Sequence, residues 1–511
     1  MRKRLCRGII FSSLASAVFA AVLFAPGNPA RAATESQTGT SGGNDQSGQS
    51  ASLTLTNSGD PTNSVTTVGG GGGDSDSGGG PDAGGSATSI DTENYAGTGN
   101  LDDQVSATGG GGGWSDYDTG GQGGSATATE NGVSSVGAVM ATSTAIGGAG
   151  GHAMDIGTGG NGGAATSSAT GQSTASGDAV SVTSTATGGN GGTCQTFGNY
   201  GVGGSAEATA IGSGSGQTIS TANATAGSSL NAGAVEGNAE ALGASGSATA
   251  TASVSNLGSY SLDGNDISGN EAISSTASGP TQGKNTSVVA WADEQTPSNP
   301  QNPNPPAQAN LSQYQAVVIN YGVPGIDNST LASDPLVNRD FDLTYSSKVP
   351  GPTSFVLGLI TLGGGSDGDG LQHTWTTSTT VDFGSSGLDG QHLILGLLNP
   401  TSTGDGFDSL TFTMMENTST LLQQETFTSL AEANAYFTDD PIDLGAISDL
   451  QSVEFSMSVT TTNPGDSYYA SLIYGQATVN SNYVPEPTCG ALLLLGGSTL
   501  FARRRRRARR V

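Results

Sequence analysis

The sequence predicts a mainly β protein. It divides into a glycine-rich repeat region, either partly ordered as a β-solenoid or disordered, then an antiparallel β-sandwich or jelly roll, and a short apolar helix at the C-terminus. Three observations carry this. Glycine clusters recur at a nearly constant interval, small residues alternate between the clusters, and a later stretch breaks into short apolar runs separated by turn residues.

Residues 33–293 are dominated by Gly, Ser, Thr and Ala, with few large apolar side chains, so a conventional core cannot be built from them. Glycine clusters start at Gly69, Gly109, Gly147 and Gly188, which are 40, 38 and 41 residues apart. A second marker follows each cluster: Gly84-Gly85-Ser86-Ala87-Thr88, Gly123-Gly124-Ser125-Ala126-Thr127, Gly162-Gly163-Ala164-Ala165-Thr166 and Gly203-Gly204-Ser205-Ala206-Glu207. Two markers kept in register over four copies define a repeat array. Stretches such as Ser125 to Thr129 and Ser181 to Thr185 alternate with period two, which favours strands, and the glycine pairs are expected to form tight turns between them. Stacked short strands would make a solenoid. The same Gly/Ser-rich composition also suits a flexible stalk, and both readings stay open.

The Pro/Asn-rich run 294–310 predicts an extended linker. Beyond it, residues 311–483 have the composition of one folded domain. Strands are expected at Ala316 to Asn320, Ser354 to Leu362, His373 to Phe383, Gln391 to Leu398, Ser409 to Met415, Ser419 to Phe427, around Val453 to Val459, and at Tyr468 to Val479. A single helix is expected at Ser429 to Phe437, with Ser429 as N-cap and Glu432 at the capping-box position.

Both termini read as targeting segments. Residues 1–32 carry Arg2, Lys3, Arg4 and Arg7, then an apolar run from Ile9 to Phe24, then Ala30-Arg31-Ala32 as a small-x-small cleavage site before Ala33. Residues 484–511 hold Val484-Pro485-Glu486-Pro487, an apolar run to Ala502, and a cationic stop of Arg503, Arg504, Arg505, Arg506, Arg507, Arg509 and Arg510. The two prolines hold the motif extended, as suits capture in an enzyme groove. The apolar run spans only about 22 Å as a helix, short of a ~30 Å hydrocarbon core, so it predicts a marginal transmembrane helix. The arginines stay on the cytoplasmic side and leave the rest of the chain outside.

This order of parts resembles the PEP-CTERM sorting signal of Gram-negative bacteria. The resemblance covers Val484 to Val511 and implies an exosortase-type processing enzyme as partner, acting at or near Pro485-Glu486-Pro487. It also implies passage through the secretion machinery, transient residence in the inner membrane, and delivery to the cell surface, outer envelope or extracellular matrix.

The two termini hold 12 of the 15 Lys and Arg residues, so the body between them keeps only Lys284, Arg339 and Lys348 and has a net charge of about −40. Such acidity excludes nucleic acid as a partner and favours solubility, divalent cations or basic matrix components. Cys6 and Cys489 lie in the terminal segments, which leaves Cys194 alone and the body without an intrachain disulfide.

No catalytic constellation emerges, and no enzyme activity is expected. His373 and His392 stand apart in the sequence, and Gly212-Ser213-Gly214-Ser215-Gly216 belongs to the repeat and lacks a strand-to-helix elbow. The glycine clusters lack the Gly-Lys-Ser/Thr of phosphate loops. Aspartates in the loops point to calcium alone as a cofactor, and only weakly. Gly69 to Asp74 partly matches the nonapeptide of calcium-binding β-rolls, but Asp76 falls where a large aliphatic residue belongs. Asp367 to Gly370 and Asp405 to Asp408 lack EF-hand spacing, so no metal ligands are assigned.

These observations predict an exported, non-enzymatic surface or matrix protein with a structural or adhesive role in envelope or exopolysaccharide. The alternative is a polysaccharide-binding or polysaccharide-modifying protein acting through residues 311–483. Trp291, Trp375, Tyr468 and Tyr469 are candidates for a sugar platform, but core or edge packing is the expected role for them.

Overall fold

Alternation along the chain decides the architecture. In the repeats, the inward side of the strands carries mostly Ala, Val, Ser or Gly and the outward side mostly Thr and other polar residues, so each strand buries a thin face. The computed structural model describes residues 32–477 apart from 76–81, 117, 155–156, 196–197, 229–234, 256–259, 263–264, 268–271, 282–284, 295–313, 323–353, 366–369, 384–391, 418, 439–440 and 447–449.

The first strands are β1 (Ala33–Thr38), β2 (Ala51–Thr56), β3 (Thr62–Val68), β4 (Ala87–Tyr95), β5 (Leu101–Thr108), β6 (Ala126–Ser134), β7 (Val139–Ile146), β8 (Ala165–Ser173) and β9 (Val180–Thr187). They continue as β10 (Ala206–Ser213), β11 (Gln217–Thr225), β12 (Val235–Leu242), β13 (Ser245–Ser255), β14 (Tyr260–Leu262), β15 (Asn265–Ile267), β16 (Ala272–Thr281) and β17 (Asn285–Glu294). The later elements are β18 (Ala316–Gly322), β19 (Ser354–Gly365), β20 (His373–Asp382), β21 (His392–Thr403), β22 (Ser409–Glu416), β23 (Thr420–Phe427), the helix α1 (Leu430–Tyr436), β24 (Pro441–Ala446), β25 (Ser452–Thr461) and β26 (Ser467–Ala477).

These strands form two 12-stranded sheets and one small hairpin, β14–β15. Up to β13, odd-numbered strands enter one sheet and even-numbered strands the other, and each pairs in parallel with the strand two places on. The repeat marker sets the register: Ala87, Ala126, Ala165 and Ala206 lie side by side. The chain therefore makes one coil per repeat, with one strand in each sheet.

The glycine pairs do not make the tight turns expected of them, and neither do the longer clusters. They run beside the sheets as extended segments that bond in two directions. Gly109 and Gly112 donate to Ile146 and Ala149 in the next coil, while Gly110 and Gly113 donate across to Gly85 and Asp82. The pattern repeats every three residues, the period of a polyproline II-type helix. A Cβ on Gly110 would lie 2.0 Å from the Gly70 carbonyl oxygen. Glycine is required there because backbone packs on backbone, whereas conformational freedom is needed at turn positions such as Gly99 and Gly177, where φ is positive.

After β13 the direction of pairing changes. β12 with β17 and β13 with β16 are antiparallel, β17 with β18 is parallel, and the remaining pairs are antiparallel. Both sheets continue across the expected linker, most of which lies outside the described residues. The eight strands expected after it are present. β24 was not expected, because it opens with Pro441; it is an outer strand of its sheet, where a missing amide hydrogen is tolerated. Ser429 caps α1 as expected, its side chain accepting from the Glu432 amide. One apolar cluster extends from Leu55 through the repeats to Tyr474. Near α1 it becomes aromatic, with Phe412 and Phe437 at 5.4 Å and Phe407 and Tyr468 at 5.3 Å.

Candidate metal centre

The cleanest departure from an apolar interior lies early in the array. In the even sheet, successive coils place Leu55, Asp91, Glu130 and Ala169 side by side. In the facing sheet the row is Asn63, Asp103, Ala141 and Val182. Strand alternation turns Asp91, Asp103 and Glu130 inward, and all three are fully buried. Asp91 and Glu130 each lie four residues past the marker alanine, so both inherit its inward face.

One oxygen from each carboxylate can be chosen so that the three lie within 4.8 Å of one another. By strict hydrogen-bond geometry no donor reaches either oxygen of Asp91, either oxygen of Glu130 or Asp103 Oδ2, while the Thr92 amide lies near Asp91 and the Asp103 and Glu130 carboxyls lie close enough to share a proton. Asp103 Oδ1 accepts from the Asn63 amide at 2.7 Å. Glu93, also fully buried, is served differently: it accepts from the Ser58 amide at 2.6 Å, the Ser58 hydroxyl at 2.8 Å and the Gly59 amide at 3.2 Å. Gly132 follows Glu130 on the inward face, where a Cβ would come within 3.1 Å of Glu130 Oε1 and 3.2 Å of Asp103 Oδ2. The glycine leaves room beside the carboxylates.

Burial pushes the Asp91 carboxyl up to about 7, helped by the charge of Glu93. Burial likewise raises Asp103 and Glu130; for Glu130 the facing charge of Asp103 adds to it. An unpaired buried carboxylate costs several kcal/mol. Every Lys and Arg of the chain lies outside the described residues, so no described side chain of that kind can offset the cluster. Its charge must be met by protons or by a cation from solution, and an all-oxygen donor set suits a hard cation.

The sequence-predicted residues lie elsewhere. Ala33 opens β1, and Ala32 precedes it. Ala30, the motif Val484 to Pro487 and the seven arginines lie outside the described residues, as does the expected C-terminal helix. Among the described residues no helix is long and apolar enough to cross a membrane. Asp74 accepts from the Trp114 amide at 3.2 Å and Asp405 donates its amide to Asp466, so these loop aspartates serve local structure, while Asp76 and Asp367 to Asp369 are not described. Cys194 is half-buried and bridges to Ala153 through the backbone. Gly212 and Ser213 end β10, and residues 214–216 join it to β11. His373 begins β20 and His392 begins β21, in different sheets. Trp291, Trp375, Tyr468 and Tyr469 are each no more than 4% exposed, so they pack the interior.

A mainly β chain with a parallel coiled array and an interior carboxylate cluster is the class that fold and site define. Comparison with protein-family models, curated proteins and solved structures returned no match.

Proposed function

We propose that this chain is an exported, non-enzymatic structural protein of the cell surface or extracellular matrix. In this reading residues 33–293 form a β-solenoid rod, residues 311–483 close it as a β-sandwich, and the PEP-CTERM-like tail from Val484 directs sorting by an exosortase-type enzyme. The observation that carries it is the filling of the repeat interior by glycine backbone and small side chains such as Ala128, Ala141 and Val182, an arrangement that supports length and stiffness. The acidic body is consistent with a matrix partner that is basic or bridged by cations. Trp291, Trp375, Tyr468 and Tyr469 are buried, which favours this reading over the sugar-platform alternative.

Mass spectrometry of protein recovered from envelope and medium tests the sorting half. A new N-terminus at Ala33 and a C-terminus near Pro487 are expected, and intact chains ending at Val511 in all exported material would overturn it. Deletion of the gene tests the role: loss of cell cohesion is expected, and unchanged cohesion and matrix yield would refute a structural contribution.

A further inference from the structure

We infer that Asp91, Asp103 and Glu130 form an interior calcium site joining successive coils of the repeat array. The inference rests on geometry that the rest of the fold does not require. The equivalent inward positions in neighbouring coils hold Leu55, Ala169, Ala141 and Val182, so the array tolerates apolar residues there. Asp91 is fully buried, and by strict hydrogen-bond geometry no donor reaches either of its oxygens although both are held in the interior beside two other carboxylates. Gly132 keeps clear the space a side chain would fill next to Glu130 and Asp103. Asn63 fixes one Asp103 oxygen and leaves Oδ2 without a donor.

The choice of ion follows from ligand number and hydration. Two oxygens on opposite sides of one ion are separated by at most twice the bond length, about 4.2 Å for magnesium and about 4.6–5.2 Å for calcium. Three oxygens within 4.8 Å of one another can share one ion of either size. Hydration separates them: magnesium sheds water reluctantly and usually takes only one or two carboxylates, whereas calcium accepts a larger set of protein oxygens, so three fully buried carboxylates suit calcium. Thiolate-seeking metals find no ligand among these three residues. The site does not depend on the proposed export, although export would set the calcium concentration it meets.

The test is calorimetric titration of the full chain, stripped with a chelator that is then removed, with calcium chloride and separately with magnesium chloride. One saturable calcium site per chain is expected, with magnesium at least 100-fold weaker and a higher melting temperature on calcium addition. Glu130→Gln and Asp91→Asn, each nearly isosteric and each removing a buried charge, should weaken calcium at least 100-fold while keeping the wild-type circular dichroism spectrum. Asp102→Asn, on the outward face of β5 beside Asp103, should bind within twofold of wild type. Absence of saturable calcium binding below millimolar concentration, or binding that Glu130→Gln and Asp91→Asn leave unchanged, would overturn the site in favour of carboxyls neutralised by protons. Equal affinity for magnesium would overturn the assignment of calcium.

Discussion

Two adjacent glycines should respond oppositely to the same substitution. Gly110 donates to Gly85 at 2.8 Å and accepts from Gly124 at 2.7 Å, and a Cβ placed on it would lie 2.0 Å from the Gly70 oxygen and 2.6 Å from its carbonyl carbon. Real contacts of that kind are not found below 3.0 Å, so the backbones must part by about an ångström. Overpacking of this sort costs about 1–3 kcal/mol, and two weakened hydrogen bonds add about 1 kcal/mol each, so Gly110→Ala should cost roughly 3–5 kcal/mol. At Gly111 the nearest atom is 3.8 Å away and φ is not positive. The next coils place Ala149 and Asn190 at the same position, as the bonds from Gly112 and Gly150 show. Gly111→Ala should therefore be neutral or stabilise by about 0.5 kcal/mol through the unfolded chain. Urea unfolding followed by circular dichroism, with amide exchange to locate the opening because arrays unfold in parts, measures both. Equal stability of the two variants would refute backbone contact as the reason for glycine.

Three further outcomes follow from individual contacts. Trp375, which covers Gly279 and Gly364 and is 3% exposed, should lose about 3–5 kcal/mol on change to Ala, read as an earlier urea midpoint. Ser429→Ala removes the acceptor for the Glu432 amide and should cost about 1 kcal/mol, with faster amide exchange confined to α1 and its surroundings. Glu236 lies beside Glu207 in the parallel pair β10–β12, and burial and that neighbour raise its carboxyl above the ordinary value. A group raised on folding binds its proton more tightly in the folded state, so its contribution falls as pH rises above about 4.3. Glu236→Gln should then stabilise by about 0.2–1 kcal/mol at pH 7 and by nothing at pH 3, and the same gain at both values would refute the account.

Strand content was legible because period two survives in small residues: Ala126, Ala128 and Glu130 share one face whatever their size. The role of glycine is not legible in the sequence. A Gly-Gly pair signals turn freedom in sequence, while the demand at Gly110 is for a missing Cβ against the backbone of another coil, which only stacking reveals. The carboxylate cluster was half legible. Counting four residues from Ala87 and Ala126 puts Asp91 and Glu130 inward, and Ile90 correspondingly outward, a reversal of the usual preference that marks β4 as unusual. Asp103 could not be joined to them without knowing that β5 lies in the facing sheet. Known calcium motifs place ligands in glycine loops such as Gly69 to Asp74, so sequence pattern points away from these strands.

The position of the cluster gives the proposed cation a mechanical sense. In a stacked array each coil is held by its neighbours, so the end coils are weakest. β1 and β2 are the outer strands of their sheets, and β1 is largely exposed. Near that end Asp91, Asp103 and Glu130 draw together β4, β5 and β6. Asn63 ties β3 to Asp103, and Glu93 holds Ser58 and Gly59 in the link between β2 and β3. Small extracellular folds commonly secure such places with disulfides. This body has only Cys194 and no partner for it, since Cys6 and Cys489 lie in the terminal segments. A cation bound by three strands performs the same cross-linking. It contributes only to the folded state, because the three carboxylates converge only after β4, β5 and β6 have stacked, so its stabilisation grows with the calcium concentration around the chain.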